Sequence, residues 1–591
     1  MKIKFSSIPF LIIIVSVPFF SQQRFHINLN NRENDLFTVT LIPENLSAEN
    51  NIFQFASTAP GTYQRMDIGK YVKSFKAYDE NESEIETKHE SVNQWSISNP
   101  VKVKKIIYEV EDTWDAVVDS NYIHRMCGST ISDDNVLING QCVFGYFHGM
   151  QSYPIVVKID YPSDWMIGTA LQLNDAGYYE AKSYDYIVDS PILLGKLTQD
   201  SIIISDTKVN VYTYSKTGLI KSSHILSSVT DVLNAVDDFT DGLPVDHYTF
   251  LFHFEDVTNG AWEHSYSSVY VYREDTLTNQ FLNSIRDIVS HEFFHIVTPL
   301  NIHSELVEEF NFEKPVMSQH LWLYEGVTEW ASDILLLRDS VTSLDEYLYK
   351  FQLKLANADN YDKSISLTTL GINSTELSNQ YPNIYEKGAI VGALLDIRLL
   401  ELSQGKQGLR EVINKLSESY GPDESFSEEN FFNEFADLTN PEIKYFFDNY
   451  IKGADPLPVK EYFEKLGIEY SEEGYPDSSQ LSLGVSIGYN GKFIILNVGK
   501  ESPNYNAIQA GDLIEKIEDD TLTLNNVQTI LHRINTTKKI GERLKITILR
   551  DDKPFDVELI LSPRRIKHSF SINENATKEQ IELRNAWMRN L

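Results

Sequence analysis

HEFFHIVTPLNIHSE, residues 291–305, is the stretch on which the reading of this chain turns. If its first five residues lie on a helix, His291 and His295 share one face a turn apart, so both imidazoles can reach one metal ion, with Glu292 beside that face. The competing reading is two histidines that fall four apart on a packed helix. In a chain of 591 residues with 14 histidines, the pattern alone arises by chance with a probability on the order of a few per cent. Its surroundings therefore carry the decision. The motif comes late in a stretch of helical apolar periodicity that starts near Leu277, and Pro299 is expected to end that helix.

A hydrolytic zinc site wants a third protein ligand and one open position. The candidate is Glu325 in LWLYEGVTEW, residues 321–330, on a second helical stretch. Glu329 follows one turn later on the same face, placed to accept the second ring N–H of a liganding histidine. An ordinary solvated face is the alternative for both carboxylates, and Trp322, Leu323, Tyr324 and Trp330 around them argue against it, because an unpaired buried carboxylate is costly. With three ligands in hand, His264 and His303 are expected to be structural or to line a substrate site.

Outward from this centre the chain divides by pattern. Its length and 67.8 kDa mass exceed one hydrophobic core and suggest roughly three to four domains. Residues 24–200 alternate in short runs such as FTVTLIPE and PIVVKIDYP between Asn, Asp, Gly and Pro clusters, the signature of a β-rich domain, with nothing in it that resembles a catalytic cluster. Residues 201–471 turn to helical spacing, with strands such as HYTFLFHF near the start, an α+β pattern. Past SEEGYPDSSQ comes a compact β-rich unit, 476–565, with one helix, NNVQTILHRI, and a closing hairpin RLKITILRDDKPFDVELIL whose DDK forms the turn. The tail, 566–591, is polar and then weakly helical.

At the other end, Lys2 and Lys4 precede an apolar run from Ile8 to Phe20, the layout of a secretory signal over residues 1–21, so an exported protein, periplasmic or extracellular, is expected. That run is shorter than the ~20 residues a membrane span needs, and no later run is long enough. Cys127 and Cys142 are the only cysteines, and either a disulfide or two buried thiols fits them. The net charge of −34 repels phosphate backbones, which sets nucleic acid aside as a partner.

Four motifs in fixed order, GAWEHSYSS (260–268), HEFFH, WLYEGVT and YEKGAIVGALLD (385–396), resemble the M61 glycyl aminopeptidase family of gluzincin metallopeptidases. The resemblance covers nearly the whole chain. It implies an N-terminal β-sandwich-like domain, a thermolysin-like, mainly helical α+β catalytic domain and a C-terminal PDZ domain. It also implies one Zn2+ on His291, His295 and Glu325, with Glu292 as general base. Glu263, in the Gly-x-x-Glu that opens at Gly260, would grip the substrate's free α-amino group, and Tyr385 would donate to the oxyanion. The activity implied is removal of small N-terminal residues, glycine or alanine, from peptides with a free N-terminus. In the PDZ domain, Leu483, Gly484 and Val485 would hold the carboxylate of a C-terminal peptide. A zinc endopeptidase of protein quality control and an inactive peptide-binding scaffold are the alternatives. The chain departs from the family in IVTPLNIHSELVEE (296–309), in place of a tryptophan-rich continuation, and in Trp262, in place of a smaller aliphatic residue. A substrate preference of its own would be written there.

Overall fold

Strand alternation places the N-terminal core. In Leu36–Ile42, Phe37, Val39 and Leu41 turn inward while their neighbours face out, as the two-residue period of a strand requires. This strand lies inside an eight-stranded sheet, in which Gln23–Asn28 runs parallel to Ile155–Asp160 and antiparallel to Leu36–Ile42. A four-stranded sheet built around Ile52–Gln54 packs Phe53 against Phe75 and Tyr108 of the larger sheet, at ring distances of 5.3 and 5.9 Å. The result is a sandwich, as expected. Cys127 and Cys142 are buried in it as separate thiols, and the Cys142 thiol donates to the Cys127 carbonyl. These relations come from a computed structural model that describes residues 22–590 except 33, 119–121, 259, 309, 474, 490, 524–525 and 551–552. The expected signal segment, 1–21, and the Asp551–Asp552 half of the DDK turn lie outside the described residues.

The peptidase region starts with a five-stranded sheet ordered Thr198–Ile204, Thr207–Ser215, His247–Glu255, Ser267–Arg273 and Gly260–His264. The central strand, HYTFLFHFE, is parallel to both neighbours and buried at its seven inner positions, the continuous apolar run of a strand covered on both faces. The hairpin that follows leaves Gly260–His264 on the sheet edge. Helix Asn279–Phe294, started by the Thr278 hydroxyl accepting from the Phe281 amide, carries the HEFFH motif. Its two phenylalanines anchor it. Phe293 packs on Tyr248 and Phe250 of the central strand, at 4.9 and 5.6 Å, and Phe294 on Phe239 of helix Ser222–Thr240, at 5.5 Å. The helix stops at Phe294, five residues before the expected Pro299. The chain then coils through turns closed by Leu300 N–H to His295 O and Ile302 N–H to Val297 O.

A second compact unit takes in Leu344–Tyr361 and Leu457–Ala586. Aromatic packing explains the membership of the detached helix Leu344–Ala358: its Phe351 lies 5.0 Å from Phe463 and 5.7 Å from Phe570. Tail residues Ser569–Ile572 form a strand against Ile468–Ser471, and the tail ends in helix Lys578–Trp587. The PDZ-like part has a sheet running from the edge strand Val485–Tyr489 to Lys553–Ile560, with helix Val527–Thr537, around a core of Ile495, Ile514, Leu544, Ile546 and Ile548. Among the described residues, no helix is long and apolar enough to cross a membrane.

Candidate metal centre and active site

The HEFFH helix and the WLYEGV turn bring His291, His295 and Glu325 together. His291 Nε2 is 3.5 Å and His295 Nε2 3.7 Å from Glu325 Oε2, and all three side chains are buried. Each imidazole is oriented through its other nitrogen: His291 Nδ1 donates to Glu329 Oε2 at 2.7 Å, and His295 Nδ1 to the Thr298 carbonyl at 2.9 Å. Those bonds fix the tautomer that leaves both Nε2 lone pairs free toward Glu325. Two imidazole nitrogens and a carboxylate oxygen, all within 4.8 Å of one another, fit a zinc ion with a position left open. Burial lowers His295 to about 4, so it is neutral near pH 7. Burial also works against protonated His291, but the neighbouring Glu325 and Glu329 carboxylates outweigh it and raise its proton affinity. A site that draws a proton onto an imidazole in this way is one where negative charge is in excess.

Two glycines explain why Glu325 stands where it does. Trp322–Val327 is a π-helical turn, wider than an α-turn, leading into helix Thr328–Arg338. A Cβ added to Gly326 would lie 2.6 Å from the Gly388 Cα of helix Asn383–Leu402, and the reverse holds. One turn on, a Cβ on Gly392 would meet Trp330 Cβ at 3.0 Å. The two backbones are thus in direct contact at the point between Glu325 and Tyr385, which only glycine on both sides allows.

Glu292 and Glu263 complete the acidic side. Their carboxylates and a His295 nitrogen lie within 4.8 Å of one another. Burial lifts Glu292 to about 7, with His291 opposing and the Glu325 and Glu329 carboxylates reinforcing. Burial, then Glu325 and Glu292, raises Glu263 well above the ordinary carboxylate range. Gly260, at φ 102°, opens the edge strand that carries Glu263 in the left-handed region glycine favours.

Three tyrosines face this cluster. Tyr385, its ring 5.7 Å from His291, shares a 3.1 Å hydroxyl–hydroxyl hydrogen bond with Tyr381. The Tyr381 ring lies 6.0 Å from that of Tyr63, and the Tyr63 hydroxyl donates to Glu325 Oε1 at 3.1 Å. Burial and then the Glu325 charge raise all three well above the usual phenol value, so they stay protonated donors.

Residues 24–200 hold nothing that resembles a catalytic cluster, yet they supply Tyr63 to this site. Tyr63 comes from a sandwich-domain loop whose Pro60 carbonyl accepts from Trp262 Nε1 at 3.2 Å. In the same loop, a Cβ on Gly61 would lie 2.4 Å from Glu263 Oε1. The Pro-Gly turn was legible in the sequence, but no local signal ties it to a motif two hundred residues on. Tyr381, one turn before Tyr385, was likewise passed over. His264 and His303 fall outside both metal-competent groups. His264 Nδ1 lies 3.4 Å from Asp189, and His303 Nδ1 donates to the Pro299 carbonyl.

Family models match this chain in three places: the Peptidase M61 N-terminal domain over residues 24–196, M61 glycyl aminopeptidase over 284–391 and a PDZ domain over 465–561. The chain is a metallopeptidase that matches M61 models in both its N-terminal and its catalytic region. Among solved structures it is similar to the aminopeptidase N family protein from Idiomarina loihiensis, with a TM-score of 0.77 at 20% identity, covering 96% of this chain and 100% of that one. At that identity the likeness is one of fold. Native yeast LTA4 hydrolase aligns with a TM-score of 0.47 at 12% identity, over 76% of this chain and 70% of its own. No curated protein sequence matches.

In the PDZ domain of this metallopeptidase, Gly484 takes a φ of 68° and its amide donates to Ser482 Oγ at 2.9 Å. The Leu483 carbonyl accepts from Ser502 Oγ and Asn504 Nδ2, and Val485 begins the edge strand. An oxygen acceptor therefore already sits on one of the three amides expected to bind a carboxylate.

Proposed function

We propose that the chain is a zinc-dependent aminopeptidase that hydrolyses the first peptide bond of peptides with a free N-terminus. The observation that carries the reading is the position of Glu263: a half-buried carboxylate beside Glu292, backed by the Pro60–Gly61 loop. Buried Glu292 and Glu325 with half-buried Glu263 gather three carboxylates in one site and so favour a cationic group, and a substrate ammonium on Glu263 supplies one. The loop against Glu263 leaves little room for residues upstream of that ammonium, which supports an exopeptidase over an endopeptidase.

Zinc held by His291, His295 and Glu325 would supply Lewis acidity, polarising the scissile carbonyl and acidifying water toward a pKa of ~7. Glu292 takes the proton of the attacking water and hands it to the leaving amine, work within reach of a carboxylate that lies beside the proposed metal ligands. The Tyr385 hydroxyl, backed by Tyr381, donates to the oxygen that gains charge in the transition state. Glu329 and the Thr298 carbonyl hold the two imidazoles in place, and Tyr63 holds Glu325. Glycine or alanine at the N-terminus is what the family resemblance implies, and a cavity beside Glu263 offers room for more. Leu483, Gly484 and Val485 support capture of a C-terminal carboxylate by the PDZ domain, the carboxylate displacing Ser482 Oγ. Export is proposed on the composition of residues 1–21.

The test is turnover of matched peptide amides with free and N-acetylated termini by the zinc-loaded protein. Hydrolysis confined to the free amine is expected, with one zinc per chain by metal analysis. Equal rates on both would overturn the role of Glu263 and turn the reading to an endopeptidase.

A further inference from the structure

Glu263 and Tyr63 also line an apolar cavity of about 70 Å3 on the flank of the site. Pro299, Leu300, Leu306 and Val307 form one part of its wall, with Val316 and Leu321 on the other. The first four belong to the segment after HEFFH in which this chain departs from its family's pattern. A substrate whose ammonium rests on Glu263 starts its side chain about 2.5 Å from that nitrogen, two covalent bonds away, and Glu263 itself lines the cavity. The volume is roughly half of the ~150 Å3 apolar cavity that takes a benzene ring, so it suits an aliphatic side chain rather than an aromatic one.

The wall's polar groups are largely engaged. Ser318 Oγ donates to Glu428, the Tyr324 hydroxyl accepts from the Ser304 amide, and Asp189 accepts from the Ser265 amide. His264 Nε2 is buried with no hydrogen-bond partner, a single position that one water can meet. Among the described residues no lysine or arginine lines the cavity, so none of them would neutralise an acidic side chain.

We infer that this cavity is the pocket for the substrate's N-terminal side chain and that it selects a branched aliphatic residue, leucine, isoleucine or valine, over glycine. The inference rests on the aminopeptidase reading and names its substrate class. Each buried methylene is worth roughly fourfold in binding, so leucine should exceed glycine by on the order of 100-fold in kcat/KM.

The test compares leucyl, glycyl, phenylalanyl and arginyl amides on the zinc-loaded full-length protein, beside calorimetric binding of free L-leucine and glycine. A leucyl preference of that order, with L-leucine binding at least tenfold tighter than glycine, is expected. Val307→Phe, which narrows the cavity, should cut leucyl turnover about tenfold more than glycyl turnover. Glycyl turnover equal to or above leucyl overturns the inference, and so does an arginyl preference, which would give the cavity to Asp189. Equal hydrolysis of N-acetyl-leucyl and leucyl amides would sink the aminopeptidase reading instead. Amino-acid binding then still decides the cavity, with equal affinities for L-leucine and glycine counting against it.

Discussion

Glu292 and Tyr63 both adjoin the proposed metal ligands, and their substitution separates chemistry from construction. Glu292→Gln keeps the volume and removes the base, so turnover should fall by about 10³-fold or more while bound zinc stays at the wild-type level, read by kcat beside metal analysis. Retained turnover would remove the base from the mechanism. Tyr63→Phe deletes only the hydroxyl that holds Glu325 Oε1, and outer partners of this kind are worth roughly 10–100-fold in metal affinity. Chelator competition should show zinc weakened by that factor with the circular dichroism unchanged, and unaltered affinity would show the contact to be incidental. At this scale the sequence was legible wherever spacing along one element carries the geometry, as for His291, Glu292 and His295 a turn apart. Tyr63 was not, because its proximity to Glu325 is made by folding across 262 residues of chain.

Two elements owe their placement to contacts that a one-dimensional pattern reveals only in part. The HEFFH helix announces itself by periodicity and by Thr278 at its start, and its phenylalanines are the residues that dock it on the sheet. Its end at Phe294 was misjudged because proline is a strong stop signal, whereas local turns end the helix before Pro299 is reached. The π-helical turn at Trp322–Val327 has no propensity signature and exists because its glycine touches another helix. Gly326→Ala puts a methyl into the Gly388 backbone, so the helices must separate. A loss of about 1–3 kcal/mol in urea unfolding is expected, together with weaker zinc binding because Glu325 moves with its turn. Unfolding and zinc affinity both at wild-type values would show that the contact gives way easily.

Across the whole molecule, His253 links the sandwich domain to the peptidase sheet by donating from Nε2 to Asn135 Oδ1 at 2.9 Å. Burial lowers it to about 3, from an ordinary value near 6.5, so the folded protein keeps it neutral while the unfolded chain takes up a proton below pH 6.5. The unfolded state then binds more protons, and stability is lost as pH falls from 6.5 toward 3, by up to about 1.4 kcal/mol per pH unit. His253→Gln should flatten that part of the stability–pH curve measured by denaturant melts, and identical slopes would place the acid sensitivity elsewhere. The long-range contacts mark the limit of what a sequence discloses. Composition and periodicity determined a β-rich domain, a mainly helical region and a compact β-rich unit, which the family resemblance turned into a sandwich, a peptidase and a PDZ domain, and the i, i+4 spacing of HEFFH determined the face from which a metal could be held. Both are consequences of local backbone geometry, which the order of residues encodes directly. The tertiary structure alone brought Tyr63 and Gly61 to Glu325 and Glu263, set Gly326 on Gly388 and hollowed the cavity behind Pro299. Those relations depend on which surfaces meet when the core closes, and no single segment contains that information.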